Sequence, residues 1–175
     1  VEPAIHLPAD LRPGDLLVGV DSPNLRSNGF SLVRRILDRV GTTGTIGGIP
    51  LLEALLSPSV VYSRAAVAAA RLDGVHGLVH VTGGGHPGNV PRVLTEGLGA
   101  TIDRTTWARP EVFEWLREAG GLSDADLYGA FNMGIGYVAV VDPGTADEAV
   151  STFADRGHPA RVIGRVTDTP GFTFA

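Results

Sequence analysis

The chain has 175 residues, 43% of them hydrophobic, enough apolar material for one sizeable core and too short for a second full domain. Its 14 basic residues are all arginine, outnumbered by 19 acids for a net charge of −5, and they form no basic run, which argues against a nucleic-acid partner. Having no cysteine and no lysine excludes disulfides, thiolate sites and Schiff-base chemistry, and no window approaches the roughly 20 apolar residues of a membrane span.

The opening stretch, Val1 to Asp10, lacks the basic start and apolar core of a secretory signal, so a cytoplasmic protein is expected. Its prolines suggest an extended lead-in. Residues 1–14 read as a lead-in from a missing N-terminal domain, and 15–175 as the domain itself. Leu16 to Val20 is an apolar run of strand length. A polar loop follows from Asp21 to Gly29, and then Phe30, Val33, Ile36, Leu37 and Val40 recur at helical spacing. Ser27 or Asn28 is the expected N-cap of that helix. Gly41 to Ile49 reads as a surface loop with a short extended piece, and Pro50 opens a helical turn through Leu56. Pro58 is expected to start a longer helix whose stripe is Val60, Val61, Ala65, Ala68, Ala69 and Leu72, stopped by Gly74.

Val75 to Val81 is the next strand, and it empties into Thr82-Gly83-Gly84-Gly85 and a short helix-like segment carrying Asn89 and Arg92. Successive glycines let backbone N–H groups turn around an anion, and a helix N-terminus adds partial positive charge. Thr82, Asn89 and Arg92 would add a hydroxyl, an amide and a guanidinium. A strand-to-helix turn with no ligand is the plainer reading of the same glycines. The loop is not a Walker A motif, which needs lysine, and dinucleotide binding is not expected. His76 and His80 are four apart on this strand and would share a face, but no third ligand follows at a readable spacing, so no metal site is expected.

Ala100 to Asp103 reads as a short strand, followed by a helix marked by Trp107, Val112, Phe113, Trp115 and Leu116. Ser123 caps the next helix, which runs to about Phe131. Asn132 to Gly136 introduces the strand Tyr137 to Val141, with glycines that suit a bulge or a close approach. A helix to about Ala154, a break at His158-Pro159, a strand Arg161 to Val166 and an edge piece at Phe172 to Phe174 complete the chain. Strands and helices mix throughout, as in an α+β fold of α/β layered type with a mixed sheet.

Four stretches stand in one order: Ser27-Asn28-Gly29-Phe30-Ser31-Leu32-Val33-Arg34, His80 to Gly85 with Asn89-Val90-Pro91-Arg92, Trp107 through Pro110-Glu111-Val112-Phe113-Glu114-Trp115-Leu116, and Phe131 to Gly136. Together they resemble the C-terminal domain of aminoimidazole ribonucleotide synthetase, or phosphoribosylformylglycinamidine cyclo-ligase. That resemblance implies a step of purine biosynthesis in which ATP phosphorylates the formyl amide oxygen of formylglycinamidine ribonucleotide. An internal nitrogen then displaces phosphate and the imidazole ring closes, with Mg2+ offsetting charge on the transferring group. It further implies an N-terminal ATP-binding domain that holds nucleotide and metal, a homodimer in the full-length protein, and an isolated C-terminal domain that binds neither cofactor and is inactive alone.

Carried over position by position, Ser27, Asn28, Gly29 and the loop Thr82, Gly83, Gly84, Gly85 become candidates for the substrate's ribose phosphate, with Arg26, Asn89 and Arg92 beside them. No catalytic residue is assigned. Where the family usually has Ser-Gly-x-His ahead of Ser-Asn-Gly, this chain has Pro23-Asn24-Leu25-Arg26. Asn24 can take the left-handed backbone that glycine would. Arg26 can pair with phosphate but cannot carry protons as histidine does. Alternatives are a divergent member related to selenophosphate synthetase, thiamine-phosphate kinase, formylglycinamidine synthetase or a hydrogenase-maturation factor, and a noncatalytic anion-binding module. The site reading requires the Ser27 and Gly84 corners to converge on one hollow.

Overall fold

The structure, a computed structural model, describes residues 7, 8 and 10–175; the part of the expected lead-in at 1–6 and 9 lies outside the described residues. Six strands form one mixed sheet: β1 (Leu16–Asp21), β4 (Val75–His80), β5 (Gly99–Ile102), β6 (Ile135–Val141), β7 (Ala160–Thr167) and β8 (Gly171–Phe174). Their order is β4-β6-β1-β7-β5-β8, antiparallel throughout except for the parallel pair β5 and β8. The expected edge piece at Phe172 is therefore a true edge strand. Strands β2 (Thr45–Ile46) and β3 (Ile49–Pro50) form a separate hairpin inside the expected surface loop.

Helices cover both faces. One face carries the larger core, where Leu17, Val79, Ile102, Val138 and Ile163 of the sheet meet Val33 and Ile36 of α1 (Phe30–Val40). The same core takes Phe113 and Leu116 of α5 (Glu111–Gly120), Leu127 of α6 (Asp124–Ala130), and Leu51 and Leu55 of α2 (Leu51–Leu55). The opposite face, Val18, Val20, Ala139 and Val141, is covered by Ala65 and Ala69 of α3 (Ser63–Ala69) and by Ala149 and Phe153 of α7 (Ala146–Ala154). Alanines on α3 allow the close approach their small size suggested. Ser123 caps α6 with a complete capping box, in which its hydroxyl accepts from the Asp126 amide while the Asp126 carboxylate accepts from the Ser123 amide.

Two expectations about helix starts fail for identifiable reasons. The N-cap of α1 is Gly29 at φ +73°, and neither Ser27 nor Asn28 bonds to the first turn. A side chain at Gly29 would lie 2.0 Å from the Phe131 ring, so packing against that buried phenylalanine decides the corner. The helix expected from Pro58 begins only at Ser63, because Asn24 Nδ2 donates to the Pro58 carbonyl at 2.7 Å and to Ser57 Oγ at 3.2 Å. That anchor holds residues 57–62 as an irregular strap across the C-terminal end of β1, a tertiary override of local preference.

Candidate functional site

The loop between β1 and α1 is pinned on both sides. Asn24 Oδ1 accepts from the Arg26 amide at 3.1 Å, and the Asn24 carbonyl accepts from Asn132 Nδ2 at 2.9 Å. The left-handed residue of this loop is Arg26, at φ +58°, and not Asn24, whose side chain supplies the turn instead. This backbone aims a buried guanidinium across the end of the sheet. Arg26 Nη1 donates to the Gly136 carbonyl at 3.0 Å, Nη2 donates to His80 Nε2, and the guanidinium sits 5.1 Å from the Tyr62 ring centroid. Its Nε is buried without a partner among the described residues.

The glycine loop after β4 is held from within. Asn89 Nδ2 donates to the carbonyls of Thr82 (3.3 Å), Gly83 (3.3 Å) and Gly85 (2.7 Å), while Asn89 Oδ1 accepts from the Thr82 hydroxyl at 3.1 Å. Asn89 is therefore a staple of the loop, and the Thr82 proton is already committed to it. Asn89→Ala removes four hydrogen bonds at a buried position and is expected to cost about 2–4 kcal/mol, read as a lower urea midpoint at unchanged slope. The Gly85 amide donates to the Thr82 carbonyl at 3.0 Å, which leaves the Gly83 and Gly84 amides as those the loop can offer. The segment that follows, α4 (Gly85–Asn89), has 5 residues before it tightens into 3-10 geometry over Val90–Val93, so the expected helix dipole is limited to about one turn.

The two loops meet through Ser27, Asn28 and Thr82, whereas Gly83, Gly84 and Gly85 are not among the residues that line the shared hollow. Arg26, Ser27, Asn28, His80 and Thr82 line one hollow of about 480 Å³ together with Ser59, Tyr62, Ser63 and Tyr137. A Cβ on Gly83 would lie 3.9 Å from Asn28 Oδ1 across it. Ser27 Oγ meets Ser59 Oγ at 3.3 Å, and Arg26, Ser27 and Ser59 continue into a neighbouring hollow with Arg34 and Phe30. Gly29 lies behind the first corner against Phe131, and Gly85 is buried against α6. Arg92 is exposed and does not line the hollow.

No carboxylate lines this hollow among the described residues. Its donors are one guanidinium, an imidazole, a carboxamide and several hydroxyls, a set suited to an oxyanion. Partial desolvation, and after it the nearby Arg26 charge, hold the otherwise exposed His80 below its usual pKa, so its ring is neutral at pH 7. Burial pushes Tyr62 and Tyr137 up, keeping both protonated, and lowers Arg26, which stays cationic. His76 lies roughly 13 Å from His80 at about 3.3 Å per residue, at a bulge near the far end of β4, with Nδ1 2.8 Å from Asp15 Oδ2. The two histidines therefore serve different ends of the strand.

Tyr62, Ser59 and Tyr137 escaped the sequence reading. Tyr62 donates to the Asp21 carbonyl at 2.7 Å and forms the floor beneath Arg26, but nothing in its local sequence marks it. His80 carried a signal in its position immediately before the glycine loop.

Residues 12–175 match the family model described as "AIR synthase related protein, C-terminal domain". A phosphoribosylformylglycinamidine cyclo-ligase of Sorangium cellulosum is 46% identical over 173 residues, which cover 92% of this chain and 48% of that protein. One from Bordetella petrii is 41% identical over 160 residues, covering 89% and 46%. The chain thus spans about half the length of the curated relatives it matches. Among solved structures, the hydrogenase maturation protein HypE of E. coli superposes with a TM-score of 0.62 at 21% identity, over 95% of this chain and 47% of that one, a likeness of fold. No helix of the described residues is long and apolar enough to cross a membrane. Sheet order, paired corners and the match along residues 12–175 together make the chain a member of the AIR synthase-related family, as its C-terminal domain.

Proposed function

We propose that the chain is the C-terminal half of a phosphoribosylformylglycinamidine cyclo-ligase and that its hollow holds the anionic end of the ribonucleotide substrate. The observation that carries the reading is the joining of Arg26, Ser27, Asn28 and the Gly83 corner around one space without a carboxylate. The names of relatives at 41–46% identity supply the reaction. Arg26 keeps its Nε–H unpaired, and the reading adds the Gly83 and Gly84 amides, which make no backbone hydrogen bond among the described residues. Ser27, Asn28 and Ser59 orient the bound group.

The hollow's donors do not fit Mg2+, which asks for carboxylate oxygens and water. The reading assigns ATP and its metal to an N-terminal half, in a full-length homodimer. The isolated 175 residues should show no ring closure in a coupled assay, and turnover by them alone would contradict this division of labour. Calorimetric titration with ribose 5-phosphate tests the hollow itself. Arg26→Gln should weaken binding by roughly 10- to 100-fold, the worth of a hydrogen bond to a charged group, and unchanged affinity would remove Arg26 from the site.

A noncatalytic anion-binding role is favoured by one observation: Arg26 and the neutral His80 leave this hollow without an evident proton carrier. Ring closure restored by adding the N-terminal half of a relative would exclude that role.

A further inference from the structure

We infer that Arg26 fixes His80 as the Nδ1–H tautomer, so that His80 serves the hollow as a hydrogen-bond donor to an anion and not as a carrier of protons. A guanidinium has only donors. Because Arg26 Nη2 is bonded to His80 Nε2, that nitrogen must present its lone pair, and the ring proton of a neutral imidazole is left on Nδ1. The alternative forms are each opposed by the surroundings. A proton on Nε2 would set two donors against each other and, in the imidazolium, two cations.

Among the described residues, no carboxylate lines the hollow to offset a second positive charge. From the loop after β1 comes Arg26 itself, from the strap before α3 comes Tyr62 with its ring 6.4 Å away, and from β6 comes Tyr137 at 5.8 Å. His76, on the same strand, is engaged with Asp15 at the far end. His80 is exposed and lines the hollow. Arg26 is thus a positioning residue for His80 as well as a donor in its own right. The donor role rests on the oxyanion reading; the tautomer does not.

Nitrogen-15 NMR of the imidazoles tests both halves on the intact chain. Without ligand, His80 should carry its proton on Nδ1 and titrate below the ordinary histidine value. In Arg26→Met it should titrate closer to the ordinary histidine value, near 6.5. A wild-type His80 with its proton on Nε2, or titrating near 6.5, overturns the inference. Inorganic sulfate, whose charge is constant over this range, should shift His80 Nδ1 together with the backbone amides of Ser27, Asn28 and Gly83. If those amides move and Nδ1 does not, the donor role fails; if none moves, the oxyanion reading fails and takes the donor role with it. His80→Gln, which can accept from Arg26 and still donate, should retain sulfate affinity within about threefold. His80→Leu should lose roughly tenfold or more, the scale of one charge-assisted hydrogen bond. Equal losses in both variants would contradict a donor role.

Discussion

Replacing His86 by leucine is expected to stabilise the protein, most of all at acid pH. His86 follows the glycine loop and is fully buried between Trp107, Tyr128 and Phe174, with ring centroids 6.0 to 6.2 Å away. Neither of its ring nitrogens has a partner among the described residues. An unpaired buried polar group costs about 1–3 kcal/mol, and leucine of similar bulk would remove that cost at neutral pH. Burial also lowers the His86 pKa to about 4. In the unfolded chain the imidazole takes up its proton near pH 6.5, whereas the native state declines it until about pH 4. Between those values the unfolded state binds more protons, so stability falls as pH falls, by about 3 kcal/mol across the window. His86→Leu should remove that share of the acid slope. Urea unfolding at pH 7.5 and pH 4.5 measures it, and parallel pH dependences in both proteins would show that His86 finds a partner in solution.

The two ends of the glycine loop should respond in opposite ways to the smallest possible side chain. At Gly85, φ is +56° and a Cβ would lie 1.9 Å from the Tyr128 carbonyl oxygen and 2.9 Å from that of Phe131. Both obstacles are backbone, so α6 would have to move, and Gly85→Ala is expected to cost about 3 kcal/mol or more. At Gly83 the backbone is not left-handed, and the nearest atom to a Cβ is Asn28 Oδ1 at 3.9 Å. Gly83→Ala should therefore change stability by less than about 1 kcal/mol while intruding on the space between the corners. Thermal unfolding separates the two. Equal melting temperatures for both variants would mean that the contact between α4 and α6 is not as tight as described.

This division shows what the sequence conveyed and what it did not. Helical periodicity located α1 and α5, whose apolar residues face the larger core, unbroken apolar runs located β1 and β6, which are buried on both faces, and Ser123 marked α6 because a capping box is a local device. The left-handed Arg26, the Asn24 anchor on residues 57 and 58, and Phe131 behind Gly29 all act across more than 30 positions of sequence or against local preference. Chain order alone could not reveal them. The same holds within the site. Ser27, Asn28 and Gly83 were legible as paired strand-to-helix corners, but Asn89 looked like a ligand group and is spent on its own loop. Glycine at position 85 is demanded by a helix, not by an anion. Tyr62 reaches the hollow only because the strap before α3 stays unwound.

Val61 of that strap is 74% exposed and lines the main hollow with Tyr62 and Ala66, and Leu56, at the end of α2, is 67% exposed and lines its neighbour. The hollow therefore combines polar groups with apolar walls.

A double-mutant cycle on ribose 5-phosphate binding tests the joining of the two corners most directly. Calorimetry of the wild type, Asn28→Ala, Gly83→Ala and the double variant gives the coupling between residues that belong to different loops and share one space. A coupling energy above about 0.5 kcal/mol, with both single variants weakened, is the predicted result. Strictly additive effects, or full affinity in either single variant, would contradict a site built by both corners.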